Sequence, residues 1–460
     1  MYIESVSYCR VIIKLRDGLK PIPGIAISLN DFFFKSRILP WRKLSTLFPK
    51  IKISRLFKTP TITQILKWIN YARKSDPGYS PPDFLAYFVI DIPGKSCVES
   101  IVKLLRLCVN VELVYVQNGA IMPPAAFYPY KLTDLQGYLY PAPLGIDAKF
   151  SFKIKGGKGS ENVKFIDIEQ GWILNHSDLA VNLLPATGIN NLHFKDHGAA
   201  VLGVISMLGK NAKGIVPKTK PYVISLWRKD GTLNPADAIM SALGYLKFGD
   251  VLLLEIQTLE STSKKRYVPI EIHEAVYQAI RLATALGIIV IEAAGNGQLN
   301  NGEGLDLGSV KISGKKVLLP GHPDFKDSGA IIVSAASSTV PHQKMNFSNY
   351  GNRIDCFAWG ENVLTAGNYP GSSSMFSEQY TDQFGGTSSA AAIVSGAAIA
   401  IQSIVEKNFN YRLGPKQMRE LLNSDEFGTG SANGREKDKI GVMPDLKKII
   451  RHLMNSKGNF

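Results

Sequence analysis

Four side chains that can take part in acid–base or nucleophilic chemistry lie at the ends of predicted elements: Asp167, His197, Asn296 and Ser388. Ser388 follows a flexible Gly-Gly-Thr stretch and precedes an unbroken apolar helix. Free backbone N–H groups and the positive end of the helix dipole therefore surround its hydroxyl. This position favours an oxygen that gains negative charge during a reaction, although a serine that merely caps a buried helix looks the same.

The other three side chains each have an ordinary explanation when taken alone. Asp167 could be a turn residue at the end of a strand, and His197 could be a helix cap. Asn296 forms a common turn pair with Gly297. In an open parallel sheet, however, functional side chains collect at the carboxyl ends of the strands. Four such groups in one chain are therefore difficult to dismiss as unrelated.

The elements that must position these groups alternate between strand and helix after residue 150. Predicted strands cover 163–168, 222–226, 251–256, 288–293 and 330–335, and predicted helices cover 198–207, 235–247, 271–286, 389–405 and 415–422. Continuous apolar strands that alternate with helices are typical of a buried parallel sheet. The sequence thus predicts an α/β domain over 151–455, with helices on both faces of the sheet.

A smaller domain precedes this one. Strands over 9–15, 85–92 and 109–116 and a helix over 99–107 predict a small α+β domain in residues 1–117. Residues 118–150 are rich in Pro, Tyr and Gly, which predicts an extended connector.

Composition narrows the classes of protein. The chain of 460 residues is 45% hydrophobic and 20% charged, as in globular proteins, and its four cysteines have no metal-ligand spacing. We expect those cysteines to be reduced. No signal peptide or membrane span is evident, which predicts a cytoplasmic protein, with export by another route left open.

Basic residues are concentrated at the start of the chain. The net charge is +15, and residues 1–120 contain 18 Lys and Arg against 8 Asp and Glu. Such an excess would suit a nucleic-acid or anionic membrane surface. No nucleic-acid motif accompanies it, so we favour a solvated basic face on a small domain and do not expect nucleic-acid binding.

Four blocks, in chain order, resemble the subtilase family of serine endopeptidases. They are Val163-Lys164-Phe165-Ile166-Asp167 with the later His176-Ser177-Asp178-Leu179, then His197-Gly198, Ala293-Ala294-Gly295-Asn296, and Gly386-Thr387-Ser388-Ser389-Ala390. The resemblance covers roughly residues 140–450, and agreement of this kind in this order is unlikely to arise by chance.

The resemblance implies hydrolysis of protein or peptide substrates by a catalytic triad. Ser388 would attack the peptide carbonyl, His197 would accept and return the proton, and Asp167 would orient the imidazole. The side-chain amide of Asn296 would bind the oxyanion. Ser389 is the rival nucleophile, but it lies about 100° further around the helix. No cofactor and no metal are expected.

The first domain weakly resembles the inhibitory propeptide of this family. That resemblance implies an intramolecular inhibitor or folding chaperone that caps the substrate cleft. A permanent domain that mediates other contacts is the alternative.

The sequence departs from the family pattern beside the cleft. Glu255-Ile256-Gln257 stands where Ser-Leu-Gly is usual, and Ala199 replaces a threonine. We expect Glu255 to lie near the imidazole of His197. The expected cleft residues are Glu255, Ile256, Gln257, Ala293, Ala294, Gly295 and Pro320. These departures keep open a catalytically weak or inactive scaffold used for binding, and a basic adaptor is a third hypothesis.

Overall fold

The computed structural model describes most of the chain. The described residues are 8–19, 29, 32–33, 38–93, 98–117, 136–183, 188–209, 212–260, 265–298, 302–367 and 380–456. Most of the predicted connector, 118–135, therefore lies outside the described residues, as does Cys97. The other three cysteines, Cys9, Cys108 and Cys356, are free thiols.

The first domain contains an antiparallel sheet with helices packed around it. Its strands are β1 (Tyr8–Leu15), β2 (Lys52–Arg55), β3 (Tyr87–Pro93) and β4 (Val111–Gln117), in the order β2-β3-β1-β4. Its described helices are α1 (Trp41–Leu47), α2 (Ile62–Ser75) and α3 (Val98–Arg106). Arg42 and Lys43 are exposed, while Trp41 and Leu44 on the same helix are buried. The basic stretch is thus a solvated face at these positions.

The second domain supplies the remaining elements. Its strands are β5 (Phe165–Glu169), β6 (Asn182–Leu183), β7 (Pro221–Ser225), β8 (Val251–Leu254), β9 (Gln257–Leu259), β10 (Arg266–Pro269), β11 (Ile289–Ala293), β12 (Gly297–Gln298), β13 (Ile331–Ala336), β14 (Cys356–Trp359), β15 (Val363–Ala366), β16 (Tyr380–Phe384), β17 (Gly428–Gly430) and β18 (Val442–Pro444). Its helices are α4 (Ala148–Ser151), α5 (Lys195–Ser206), α6 (Pro235–Leu243), α7 (Glu274–Ala285), α8 (Gly386–Phe409), α9 (Pro415–Leu422), α10 (Arg435–Asp438) and α11 (Leu446–Asn455).

Nine of the described strands form one sheet in the order β17-β18-β14-β13-β11-β8-β5-β7-β6. The pairs from β18 to β6 are parallel, and the edge strand β17 is antiparallel to β18. Each central strand is buried on both faces, as its continuous apolar sequence requires. This arrangement confirms the predicted α/β fold with a preceding α+β domain.

The two faces of the sheet pack against different helices. Side chains such as Phe165 and Leu253 join a core cluster with residues of α5 and α8. Their neighbours Ile166 and Leu252 point the other way and join a cluster with residues of α6 and α7. Because side chains alternate along a strand, this division fixes which polar residues face which helix.

Helix α8 runs through the centre of the domain. Among the described helices it is long and apolar enough to cross a membrane, and its most apolar stretch is entirely buried inside the fold. It packs against α5 and against strands β13 and β14. The apolar sequence of α8 therefore serves the core.

The described part of the predicted connector, residues 136–150, is folded onto the second domain. Tyr138 is fully buried, and its hydroxyl donates to the carbonyl oxygen of Leu364 at 3.0 Å. Ile146 and Ala148 belong to the same buried cluster as α8. The extended conformation that we predicted from Pro and Gly content is wrong here, because turns bring the apolar side chains between the prolines into the core.

The first domain docks on helices α6 and α7 of the second. Ile65 and Ile69 of α2 are buried in one apolar cluster with Val276 and Ile280 of α7. Beside this cluster, the carboxylate of Asp237 accepts hydrogen bonds from the backbone N–H groups of residues 58 and 59, at 2.7 and 2.8 Å. Apolar burial and satisfied polar groups together hold the two domains in contact.

Candidate active site

His197 lies in the first turn of α5, where the helix approaches the loop that follows β5. A Cβ atom on the next residue, Gly198, would lie 2.3 Å from the carbonyl oxygen of Gly171. The glycine therefore allows the helix to come this close to the end of the strand. The His197 ring is buried, at 2% exposure, and packs edge-on against Phe384 with ring centroids 5.6 Å apart.

Glu169 is the carboxylate that contacts the imidazole. Both of its oxygens lie 2.8 Å from Nδ1 of His197. An Nδ1–H that donates to this carboxylate leaves Nε2 with a lone pair. Nε2 is buried and has no hydrogen-bond partner among the described residues. The imidazole is thus oriented with its basic nitrogen free.

Our prediction that Asp167 contacts the imidazole is corrected by this geometry. Asp167 accepts a hydrogen bond from Nε1 of Trp172 at 2.7 Å, and the carboxylate on His197 belongs to Glu169. The strand runs to Glu169, two residues beyond Asp167. Since functional groups collect at the carboxyl end of a parallel strand, the later carboxylate reaches the site. Asp167 acts at longer range, because its charge favours the protonated imidazole.

The signal that identifies Glu169 is present in the sequence. Asp167 and Glu169 are two residues apart and share one face of the strand, so periodicity alone admits either. Glu169 is followed two residues later by Gly171, where a Cβ atom would lie 2.1 Å from the carbonyl oxygen of Asn191 in the segment that precedes α5. The choice between the two carboxylates depends on where the strand ends. The predicted strand ended at residue 168, whereas β5 ends at Glu169.

Ser388 is the third residue of α8. The turn before it is permitted by Gly386, whose φ is +87°, and the N–H of Gly386 donates to the carbonyl of Gly360 at 2.9 Å. The backbone N–H of Ser388 is in the first turn, where an α-helix leaves its donors without partners inside the helix. Ser389 is occupied, because its hydroxyl donates to the carbonyl of Trp359 at 2.8 Å and to that of Gly386 at 3.0 Å.

Asn296 is clamped between two neighbours. Its Oδ1 accepts from the backbone N–H of Thr387 at 2.9 Å and lies 3.1 Å from the Thr387 hydroxyl. Its own backbone N–H donates to Oε1 of Gln257 at 2.9 Å. The amide nitrogen Nδ2 is buried and has no hydrogen-bond partner in the described part of the chain. An oriented, unused donor therefore lies beside the residue that precedes Ser388.

The remaining predicted cleft residues have defined places. Gly295 has φ of +90°, and its N–H donates to the Thr387 hydroxyl at 3.2 Å. Ile256, Ala293 and Ala294 are buried. Pro320 is half-buried in a turn closed by a hydrogen bond from His322 to Leu319. The described contacts connect Gly295 and Gln257 to Asn296 and its clamp, whereas Pro320 stays a prediction from the resemblance.

Glu255 follows the end of β8 and adds a third buried carboxyl group to the site. Its side chain is buried, at 7% exposure for the residue, and neither oxygen has a hydrogen bond of normal geometry among the described residues. Burial raises the pKa of Glu255 well above its usual range, and the charges of Glu169 and Asp167 raise it further. The Ser388 hydroxyl, which stabilises the carboxylate, lowers this pKa.

Burial makes ionisation of each titratable group in the site more costly. Burial lowers the pKa of His197 to about 4, while the charge of Asp167 acts in the opposite direction. Burial also raises the pKa of Asp167 and of Glu169 well above the usual range. Like charges this close resist ionising together. At neutral pH the imidazole is therefore uncharged and able to accept a proton.

Metal ligation has no support in the described part of the chain. No group of three or more His, Cys, Asp or Glu side chains with ligand spacing occurs there. Near His197, Asp167 accepts a hydrogen bond from Trp172 and Glu169 contacts the imidazole.

The chain is similar to known proteins in sequence and in fold. The model of the subtilase family matches residues 169–441, a range that begins at Glu169. The major intracellular serine protease of Bacillus subtilis (strain 168) is 25% identical over 296 residues, which cover 61% of this chain and 82% of that protein. The intracellular serine protease of Paenibacillus polymyxa is 25% identical over 335 residues, covering 70% of this chain and 92% of that protein.

Among solved structures, the chain resembles fervidolysin from Fervidobacterium pennivorans, a keratinolytic enzyme related to subtilisin. The TM-score is 0.54 at 15% sequence identity, over 98% of this chain and 62% of fervidolysin. At this identity the likeness concerns the fold. The family match covers more than half of the chain, so the protein is a serine endopeptidase of the subtilisin-like class. The chain belongs to the subtilase family, and its substrates are proteins or peptides.

Proposed function

We propose that the protein cleaves peptide bonds with a triad of Ser388, His197 and Glu169, and with Asn296 as oxyanion donor. The observation that carries this proposal is the pairing of Glu169 with Nδ1 of His197 while Nε2 stays unpartnered. This arrangement replaces the Asp167 triad that we predicted. Glu169 is the last residue of β5, and its side chain is one methylene longer than that of an aspartate.

The proposed reaction uses Nε2 of His197, which has no hydrogen-bond partner among the described residues. Nε2 of His197 takes the proton of the Ser388 hydroxyl as Oγ attacks the peptide carbonyl. Glu169 stabilises the imidazolium that forms. The proton then passes to the leaving amine, and water repeats the sequence on the acyl-enzyme. Acylation and deacylation each begin with Nε2 unprotonated, which the lowered pKa of His197 provides.

The oxyanion would be bound by Nδ2 of Asn296 and by the backbone N–H of Ser388. Asn296 is held through Thr387 and Gln257, so its donor is fixed before substrate binds. A fixed donor of this kind stabilises the transition state by about 3–4 kcal/mol. Gln257, which stands where a glycine is usual, thus supports the oxyanion donor.

A serine-reactive fluorophosphonate tests the proposal. The full-length protein, the Ser388→Ala variant and a matched Ser389→Ala variant are incubated with the probe and with a peptide library. We expect labelling and cleavage in the wild type and in Ser389→Ala, and neither in Ser388→Ala. A folded wild type that shows neither labelling nor cleavage would contradict the proposal and favour the inactive scaffold used for binding.

We also propose that the first domain restrains this activity. The support is its docking on α6 and α7 and the position of β4. Tyr115 of β4 stacks on His273 with ring centroids 5.4 Å apart. Nε2 of His273 lies 3.0 Å from the hydroxyl of Thr258, the neighbour of Gln257. The contact of Tyr115 with His273 and that of His273 with Thr258 therefore connect the first domain to the neighbour of Gln257.

Loosening the docked helix tests this restraint. The double variant Ile65→Ala, Ile69→Ala shortens two buried side chains of α2 and removes their contacts with the shared apolar cluster. We expect a higher kcat/KM on a protein substrate. Leu66→Ala is the matched control, because Leu66 lies on the same helix and is 50% exposed. Equal activity in all three proteins would show that docking does not restrain catalysis.

The place of action is proposed from the relatives. Two of them are named intracellular serine proteases, and we infer the same compartment for this chain. Fractionation of the source cells, followed by detection of the protein, would contradict this inference if the protein were found outside the cells.

A further inference from the structure

Glu255 occupies a position next to Glu169 at the active-site edge of the sheet. Strands β5 and β8 are parallel, with Ile168 opposite Leu254, so the next pair along the two strands is Glu169 and Glu255. Adjacent strands lie about 4.8 Å apart. Asp167 is opposite Leu253, and Leu253 belongs to the cluster on the α8 side. Since side chains alternate, Glu255 faces α8 as well.

The neighbours of Glu255 explain what its carboxyl group can contact. From β5 it faces Asp167 and Glu169, and from α8 it faces the Ser388 hydroxyl. On the other side of β8, the register of β11 puts Ala293 next to Glu255, so that strand offers no charge. No described Lys or Arg side chain pairs with Glu255, and its oxygens make no hydrogen bond of normal geometry there. Ser388 is therefore the hydroxyl group available to it.

We propose that Glu255 competes with His197 for the hydroxyl proton of Ser388, so that Ser388 is reactive only while Glu255 is protonated. The inference rests on the proposed nucleophilic role of Ser388. It makes Glu255 a positioning residue that sets the upper pH limit of the enzyme.

The two states of Glu255 have opposite effects on Ser388. An ionised carboxylate is a strong acceptor, and a hydroxyl that donates to it points its proton away from Nε2 of His197. A protonated carboxyl group is a poorer acceptor and can itself donate to the Ser388 oxygen, which leaves the hydroxyl proton free to face Nε2. Only a proton exchanged with solvent separates the two states, and no covalent bond changes.

The surroundings of Glu255 disfavour its ionised form. Burial and the charges of Glu169 and Asp167 raise its pKa well above the usual range of a glutamate. As pH rises through that pKa, Glu255 ionises and the reactive fraction of Ser388 falls. One pH unit above the pKa, about nine tenths of the carboxyl groups are ionised, so the rate falls about tenfold.

The rate of fluorophosphonate labelling measured against pH tests the inference in the full-length protein. We expect the wild-type rate to fall at alkaline pH, and Glu255→Gln to abolish that fall. Glu255→Ser, which removes the carboxyl group with less bulk, should give the same flat alkaline limb. Glu292→Gln is the matched control, because Glu292 is equally buried and has a raised pKa, yet its carboxylate accepts from the N–H of Glu271.

Two results would overturn the inference, and they differ from a failure of the proposed triad. An alkaline limb that is the same in wild type and in both folded Glu255 variants removes Glu255 from the control of Ser388. A folded Glu255→Gln that does not label at any pH would make Glu255 the proton acceptor instead. Absence of labelling in wild type and all variants would reject the nucleophilic role of Ser388 itself.

Discussion

Two groups of buried carboxylates in this domain are neutralised in different ways. In the Arg353 cluster, the fully buried guanidinium of Arg353 lies 3.1 Å from Glu271 and 3.0 Å from Asp355, and Arg419 also binds Asp355 at 2.6 Å. In the active-site cluster of Asp167, Glu169 and Glu255, no described Lys or Arg side chain makes an ion pair. The partners there are an indole, an imidazole and a hydroxyl.

This difference separates a structural use of charge from a chemical one. A buried carboxylate with an arginine partner stays ionised and holds elements together. A buried carboxyl group without a cation keeps its proton more readily, and its pKa moves into a range where it can exchange that proton. In our proposal the active-site cluster serves acid–base chemistry at a cost in stability, whereas the Arg353 cluster stabilises the fold.

The largest expected effect distinguishes the two carboxyl groups on β5. Glu169→Gln should lower kcat by about 10³–10⁴-fold, because the amide cannot stabilise the imidazolium and favours the wrong tautomer. Asp167→Asn keeps an acceptor for Trp172 and should lower kcat less than about tenfold. Steady-state kinetics on one peptide substrate measures both. A larger loss in Asp167→Asn than in Glu169→Gln would restore the role that we first assigned to Asp167.

The next effect breaks the structural cluster. Arg353→Met leaves Glu271 and Asp355 buried beside an apolar side chain, and should lower the free energy of unfolding by about 3–5 kcal/mol. Denaturation by urea measures it. Lys220→Met is the control, because Lys220 pairs with Glu161 on the exposed surface at 3.3 Å, where such pairs contribute about 0–1 kcal/mol. Equal losses in the two variants would contradict the stabilising role of the Arg353 cluster.

Asn296→Leu removes the side chain that we propose as the oxyanion donor. We expect kcat to fall about 10²–10³-fold with little change in KM, because the donor acts mainly in the transition state. The variant also leaves the N–H of Thr387 without its acceptor, which can destabilise the fold. The melting temperature of the variant is therefore measured in parallel. A rise in KM at unchanged kcat would show that Asn296 binds substrate in the ground state instead.

The smallest effect concerns stability and pH in the active-site cluster. The pKa of Glu255 is raised in the folded protein, so the folded state binds its proton more tightly than the unfolded state. Folding stability is therefore lost as pH rises between the unfolded and the folded pKa. Glu255→Gln should raise the free energy of unfolding at pH 8, and the gain should vanish at acid pH. A variant less stable than wild type at pH 8 would contradict this cost.

The positions of Ser388 and Asn296 could be predicted from the sequence, because each lies in a turn that contains a glycine. Gly386 and Gly295 have positive φ. Ser388 lies two residues after Gly386 and Asn296 directly follows Gly295, so local sequence places both groups. The choice between Asp167 and Glu169 depends on where β5 ends. A strand end is set by hydrogen bonds to neighbouring strands, which the sequence of one strand does not contain.

The stretch between residues 38 and 80 shows a second limit of sequence reasoning. The sequence of this stretch is conspicuous for its basic residues, which indicate a charged surface but no particular element. The structure forms α1, β2 and α2 there. The capping box of Thr61 and Gln64 marks the start of α2, and it is visible in the sequence. The docking of α2 on α7 depends on apolar residues far apart in the chain, and no local pattern indicates that contact.

The orientation of His197 by Glu169 is tested most directly by the proton on Nδ1. Proton NMR of the full-length protein, with nitrogen-labelled histidine, should show a strongly downfield resonance from an Nδ1–H that donates to a carboxylate. We predict that this resonance persists in Asp167→Asn and disappears in a folded Glu169→Gln. Loss of the resonance in Asp167→Asn, together with its persistence in Glu169→Gln, would contradict the account.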